Sequence, residues 1–326
     1  MPILLTAECI DDLIKDIHQS ILSEGAWNEP TKGGNYEILG AYLILTDPMR
    51  RISRTESRSK VISCLGELLW YLSAQNDLTF ISHFIPRYDL SAEDDGRIHG
   101  GYGPRLFNMR GLYNQIENVV GLLREKSPTR RAVIQLFDAS DLVPENPAKR
   151  EYTDIPCTIS LQFIVRDEEL HLFVCMRSND AFKGLTHDIF SFTMIQEIVA
   201  RLIGCKLGHY NHFVSSMHLY ETDLKKVIKL QEEGFMSTHS IMEPMPAINS
   251  LGEISLILDA EKELRANKEF DLNKTPLNDY WKDLLKIIKI HFLLRSRTAK
   301  HDALARQEWS SLKNKEYRFI FEGRIR

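Results

Sequence analysis

Apolar residues recur at helical spacing along 189–203, where Ile189, Phe192, Ile195, Ile198, Val199, Leu202 and Ile203 line one face of a predicted buried helix. Residues 8–24 and 111–126 carry weaker helical patterns, and "VISCLGELLWYLS" (61–73) is apolar enough for a mostly buried helix. A period of two appears further on. Ile159, Leu161, Phe163 and Val165 alternate with polar residues, a charged turn follows near Asp167–Glu168, and a second strand runs from Leu170 to Met176. Residues 37–45 and "RRAVIQLFD" (130–138) predict further strands. The stretch 85–110 is punctuated by Gly, Asp and Pro and reads as loop. From about 250 the texture changes to long charged helices, such as "YWKDLLKIIKIHFLLRSR". No repeat or low-complexity tract interrupts the chain. The pattern predicts a mixed α+β architecture, a sheet covered by helices.

The hairpin has a geometric consequence. With the turn at Asp167–Glu168, cross-strand partners sum to roughly 335–337, which sets Cys157 opposite Ser178–Asp180 and brings Arg177 close to its sulfur. A guanidinium beside a thiol favours the thiolate, the nucleophilic form. Cys157 also follows Pro156 at the edge of its strand rather than in mid-core, although a cysteine beside a strand is more commonly a small core hydrophobe. A second oddity is "GLTHDIFSF" (184–192), which puts Asp188 at the mouth of an otherwise apolar helix. An acid there either caps the helix or reads a ligand.

Composition narrows the field. The 326 residues are 43% hydrophobic and 26% charged, an ordinary globular balance with enough chain for one large domain or two small ones. A net charge of −4 argues against general affinity for nucleic acid or anionic membrane, so any bound anion needs a local basic cluster. The N-terminus lacks the basic region of a secretory signal, and no apolar run approaches the ~20 residues of a membrane span, so a cytoplasmic location is expected. Five cysteines without a CxxC pair speak against a disulfide framework or a zinc site, and no metal is expected.

Six words occur in order: "ELLWYL" (67–72), "YGPRLF" (102–107), "SPTRRAVIQLFD" (127–138), "DIPCTISLQF" (154–163), "MRSNDAFKGLTHDIFSF" (176–192) and "HLYETDL" (218–224). Together they resemble the thymidylate synthase family over roughly 35–247. The resemblance implies that family's mixed sheet packed by helices, with a sheet face forming a homodimer interface. It implies a catalytic domain over 1–247, with 248–326 a helical part of the same domain or an extension of it. It also implies 5,10-methylenetetrahydrofolate as co-substrate and a pyrimidine nucleoside monophosphate as substrate, with no membrane or nucleic-acid partner. By the same resemblance Cys157 adds to C6 of the base and makes C5 nucleophilic. Arg177 and Ser178 bind the phosphate with Arg130 and Arg131 of the partner subunit, since guanidinium forks suit a dianion. His218 and Tyr220 hold the sugar hydroxyl, Glu67 organises water and proton transfer, Tyr102 helps remove the C5 proton, and Asp180 and Gly184 lie near the folate. A Glu inside "CLGELLWYL" is costly to bury without such work.

Four departures from the family pattern follow. Asp188 stands where thymidylate synthases place the asparagine that pairs with uracil, and the cytidylate hydroxymethylase branch of the family carries an acid there. A carboxyl accepts from the cytosine amino group and, when protonated, donates to N3; an acid of raised pKa there stabilises charge developing on N3. The segment 81–101 lacks the shielding tryptophans of methylating members, the four being Trp27, Trp70, Trp281 and Trp309, so water can capture the methylene as hydroxymethyl. Thr158 replaces the usual histidine, and the chain ends "RFIFEGRIR" without the family's apolar tail. Lys32 is the nearest match to the N-terminal phosphate arginine. Hydroxymethylation of dCMP or CMP is therefore the leading expectation. A thymidylate synthase acting on dUMP and a non-catalytic nucleotide- or RNA-binding regulator are the alternatives, and ribose and deoxyribose remain equally open.

Overall fold

The computed structural model describes residues 1–30, 33–55, 60–144, 151–234 and 241–325, so Lys32 lies outside the described residues. The hairpin forms as the alternation predicts, with β5 at Thr158–Arg166 and β6 at Glu169–Asp180. Asp167 and Glu168 both take positive φ, +50° and +63°, which is the two-residue turn whose twist matches paired strands. Register runs from Arg166 opposite Glu169 to Ser160 opposite Cys175, then slips at an irregularity between Thr158 and Ser160. This corrects the expected pairing. The slip sets Cys157 against Arg177 itself, whose backbone N–H donates to the Cys157 carbonyl at 2.9 Å.

The sheet has the order β1-β3-β7-β6-β5-β4, with β2 beside β3. Its other strands are β1 (Ile3–Ala7), β2 (Ala26–Asn28), β3 (Asn35–Leu45), β4 (Val133–Gln135) and β7 (Lys206–Tyr220). β7 runs parallel to β6 and antiparallel to β3. The strand expected over 130–138 shrinks to β4, because only Val133–Gln135 pair with β5.

The helices are α1 (Ile10–Glu24), α2 (Val61–Leu72), α3 (Leu78–Ile81), α4 (Tyr102–Phe107), α5 (Gln115–Glu125), α6 (Leu185–Ile203), α7 (Leu224–Glu232), α8 (Gly252–Ala266), α9 (Asp279–Arg295) and α10 (Ala299–Ser311). α4 interrupts the segment read as loop. α5 starts at Gln115 rather than 111, because Arg110 and Gly111 turn the chain at positive φ and Asn114 then caps the helix.

α6 connects β6 to β7 and is buried along almost its whole length, lying under the sheet and against α1, α2 and α5. Its polar groups are matched accordingly. Gln196 donates to the carbonyls of Leu170 and Gly208, and Glu197 forms a fully buried ion pair with Arg51 while accepting from the Met245 N–H. The C-terminal helices join the same core: Tyr280 of α9 donates to the Met194 sulfur of α6 at 3.9 Å, and Arg295 donates to the His83 carbonyl at 2.8 Å. No described helix is long and apolar enough to cross a membrane.

Candidate active site

Cys157 ends the loop 151–157 and is half-buried. Arg177, exposed on the neighbouring strand, ties that loop down: its Nε donates to the Pro156 carbonyl at 2.9 Å and its Nη2 to the Ile155 carbonyl at 3.0 Å. The same Nη2 stands 3.7 Å from the Cys157 sulfur, so a positive charge faces the thiol. On the other side, Tyr102 of α4 accepts from the Thr158 N–H at 3.1 Å and from the Thr158 hydroxyl at 2.9 Å. Burial, then the negative charges of Asp188 and Cys157, push the Tyr102 phenol well above its usual range. Thr158 thus anchors a tyrosine where the family pattern has a histidine.

Glu67 lies on α2, where the helix packs on α6, and is 5% exposed. The Tyr88 hydroxyl donates to its Oε1 at 2.5 Å. Burial raises the Glu67 pKa, while hydrogen bonds from Tyr88 and Tyr71 and the charge of Lys60 oppose the rise. Lys60 sits just before α2 and is held there by the Lys183 carbonyl at 2.9 Å.

Asp188 does not cap α6. The helix begins at Leu185 with Gly184 at the cap position, leaving Asp188 one turn inside and 8% exposed. Its Oδ2 accepts from the Asn179 side-chain amide at 2.6 Å. Burial first, then the nearby Glu67 charge, raise the Asp188 pKa to about 8, against the opposing pull of Asn179 and Lys60. A buried acid so placed is neutral at pH 7 and can donate a proton.

The remaining candidates line the strands. Ser178 Oγ and His218 Nδ1 are 3.4 Å apart across β6 and β7, and the His218 and Tyr220 rings meet edge to face. Burial lowers the His218 pKa, with the Asp180 carboxyl acting in the opposite direction. Asp180 holds a turn, its Oδ1 accepting from the Phe182 and Lys183 N–H groups at 2.8 Å each. Gly184 packs at the Asn179–Asp188 pair: an added Cβ would come within 3.3 Å of the Asn179 amide nitrogen and 3.4 Å of Asp188 Oδ2.

Arg130 and Arg131 are exposed just before β4, at the sheet edge, and among the described residues no ion pair links them to the Cys157 cluster. Trp70 packs against Tyr71 and Tyr88, buried behind them, while Trp27 lies on β2 and Trp281 and Trp309 lie in the C-terminal helices. Among the described residues no cluster of three His, Cys, Asp or Glu is placed to hold a metal ion.

The arrangement joins a nucleophilic sulfur, a guanidinium, two buried acids and a chain of tyrosines. That combination suits covalent attack with proton movement. The family model described as thymidylate synthase matches residues 14–254. The chain belongs to the thymidylate synthase family.

Among its relatives within that family, it is 27% identical over 205 residues to the deoxyuridylate hydroxymethyltransferase of Delftia phage PhiW-14, covering 60% of this chain and 56% of that protein. With the protein of the same name from Pseudomonas phage M6 it shares 32% over 171 residues, 52% of this chain and 47% of that one. The chain thus spans about half the length of these two phage relatives. It is also 28% identical over 236 residues to the thymidylate synthase of Symbiobacterium thermophilum, covering 68% of this chain and 80% of that protein.

Four of the site's contacting residues escape sequence reasoning. Tyr71 lies four residues after Glu67, so helical spacing puts both on one face and offers a usable signal. Asn179 falls on the inward side of β6 by alternation, another usable signal for a buried polar residue. Tyr88 and Lys60 reach the site through tertiary packing that no local pattern reveals.

Proposed function

We propose that the protein transfers a one-carbon unit from 5,10-methylenetetrahydrofolate to C5 of a cytosine nucleoside monophosphate, dCMP or CMP, and releases the 5-hydroxymethyl nucleotide. The observation that carries this reading is Asp188, a buried carboxyl with a pKa raised to about 8 in the cluster that holds Cys157, Glu67 and Tyr102. The substrate phosphate goes to Arg177 and Ser178, joined by Arg130 and Arg131 of the partner subunit, and the sugar goes to His218 and Tyr220.

The Cys157 sulfur forms a bond to C6 of the base. The displaced electron pair moves towards N3, where the neutral Asp188 carboxyl meets it with a proton. C5, now electron-rich, takes the carbon that the folate supplies. N3 returns its proton to Asp188, Tyr102 and the residues bonded to it take the C5 proton as the carbon–nitrogen bond to the folate breaks, and tetrahydrofolate leaves with that electron pair to give an exocyclic methylene on C5. Glu67, held by Tyr88, directs a water onto that methylene, and the electron pair returning through the ring expels the Cys157 sulfur from C6. In the segment where methylating members carry tryptophan, Tyr88 donates its hydroxyl to the Glu67 carboxyl, a polar pair suited to holding a water rather than excluding it. Asp180 and Gly184 border the folate side.

The test is tritium release from C5-labelled dCMP, CMP and dUMP in the presence of methylenetetrahydrofolate, with the product identified by mass. Release from a cytosine nucleotide, a hydroxymethyl mass and no dihydrofolate absorbance are expected. The relatives' names favour a second reading, hydroxymethylation of dUMP. Release from dUMP alone with the same product mass selects that reading, and dihydrofolate formation selects thymidylate synthesis.

A further inference from the structure

The acid at 188 leaves a selectivity problem unsolved. A neutral carboxyl has one oxygen that donates and one that accepts, and a free carboxyl exchanges the two roles. It can therefore satisfy uracil, with its N3–H donor and O4 acceptor, as readily as cytosine, with its N3 acceptor and amino donor. Discrimination requires a neighbour that decides which oxygen carries the proton.

We propose that Asn179 is that neighbour, a positioning residue that sets base selectivity by holding Asp188 Oδ2 as the accepting oxygen and leaving the proton on Oδ1. Three observations support it. The Asn179 amide N–H donates to Oδ2 at 2.6 Å, inside the protein, with Asn179 only 4% exposed. The other end of the same amide, Oδ1, is buried and has no hydrogen-bond partner among the described residues. Burying an unpaired acceptor is costly, so the amide is retained for what its donor does. Gly184 lies directly against the pair, where an added Cβ would stand 3.3 Å from the Asn179 nitrogen and 3.4 Å from Asp188 Oδ2, so the amide and the carboxyl are packed in place.

The consequence rests on the reading of Asp188 under Proposed function. Facing cytosine, Oδ1–H donates to N3 while Oδ2 accepts from the amino group with its second lone pair. Uracil in the same seat sets N3–H against Oδ1–H, and O4 against Oδ2. Both contacts are then repulsive, which is how a polar site rejects a near isostere.

The charged and titratable groups around Asp188 are Glu67 and Tyr71 on α2, Lys60 before it, Tyr102 on α4 and Tyr210 on β7. Asn179 is the neighbour whose side chain bonds Oδ2, so Asn179 is the group to change. Asn179→Leu keeps the volume and removes the donor. Its readout is the ratio of kcat/KM for dCMP over dUMP, which cancels any loss of folded enzyme because both are measured on one preparation. A second readout needs no substrate: a 13C-carboxyl titration of Asp188, assigned by its absence in Asp188→Asn.

The expected result is a ratio at least tenfold closer to unity in Asn179→Leu, with the Asp188 titration moved to higher pH by loss of a donor to the carboxylate. A ratio within twofold of the wild-type value overturns the proposal. A wild-type preference for dUMP overturns both the cytosine reading and this assignment of the two oxygens, whereas a cytosine preference that persists unchanged in the variant overturns the Asn179 assignment alone.

Discussion

At the scale of single residues, the proposed chemistry turns on two acids, and Asp188 also taxes the fold. An acid whose pKa is 3.8 unfolded and about 8 folded binds more protons in the native state between those values, so stability falls as pH rises through that window and the loss is complete above it. Asp188→Asn removes the penalty while leaving the Asn179 amide an oxygen to bond. The melting temperature of the variant should therefore drop less than that of the wild type between pH 5 and pH 8, which paired thermal melts at four or five pH values will show. Turnover moves the other way. The wild-type rate with its preferred cytosine nucleotide should decline above pH 8 as the proton at Asp188 is lost, and the variant should be slower by about 10²- to 10⁴-fold, the usual value of a positioned acid. Equal slopes of melting temperature against pH in both proteins defeat this account.

Residue legibility was uneven for a physical reason. Cys157, Arg177, Glu67 and Asp188 stood out because each is a costly residue for its pattern: a strand-edge thiol, a charge among strand residues, an acid in an apolar helix. Tyr88 and Lys60 are ordinary in their local context, and only their tertiary partners give them a part, whereas the alternation of β6 marks Asn179 as a buried polar residue without naming its partner. The N-cap reading of Asp188 failed by one turn, since α6 starts at Leu185 and Gly184 takes the cap.

Among the elements, the hairpin was legible because both its signals were local, alternation on β5 and β6 and two residues able to take positive φ between them. Its register was not, since a bulge near Ile159 has no composition of its own. β7 was missed for a different reason. Asn211 and His212 are adjacent and both buried, one paired to Tyr42 across the sheet and the other to Tyr210, so the polar–apolar alternation that marks a strand is erased. α6 was the plainest element of all, yet the pattern did not say how Glu197 could sit at its core. The structure answers with Arg51. Removing Arg51 leaves the buried Glu197 carboxylate with only the partly exposed Arg201 and the Met245 N–H as partners, so Arg51→Met should destabilise by about 3 kcal/mol in urea unfolding. The double variant Arg51→Met/Glu197→Met should recover most of that loss. A single variant within 1 kcal/mol of wild type, the order of an exposed pair, contradicts a buried role.

For the whole molecule, one face of the sheet is covered by α6 and its neighbours while the other presents Tyr42, Gln162, Phe173, Cys175, Asn211 and Phe213 around a depression of about 310 Å³. Phe173 and Phe213 are 36% and 42% exposed, large rings that a sheet face in water does not favour. Arg130 and Arg131 emerge at the edge of this same sheet, exposed and in no ion pair among the described residues. The partner subunit of the proposed mechanism, packed on this face, would account for both features, covering the rings and carrying its arginines to the phosphate end of the neighbour's site. Phe213→Glu should then yield a monomer in sedimentation equilibrium and lose activity although every Cys157-side residue is intact. Complementation separates this from a merely damaged fold. Cys157→Ser and Arg131→Ala are each expected to be inactive. If every site takes its sulfur from one subunit and Arg131 from the other, mixing and re-pairing them at equal amounts restores about a quarter of the sites, because half the pairs are mixed and each holds one complete site. A site built within one subunit regains nothing on mixing, and the outward arginines then need another explanation.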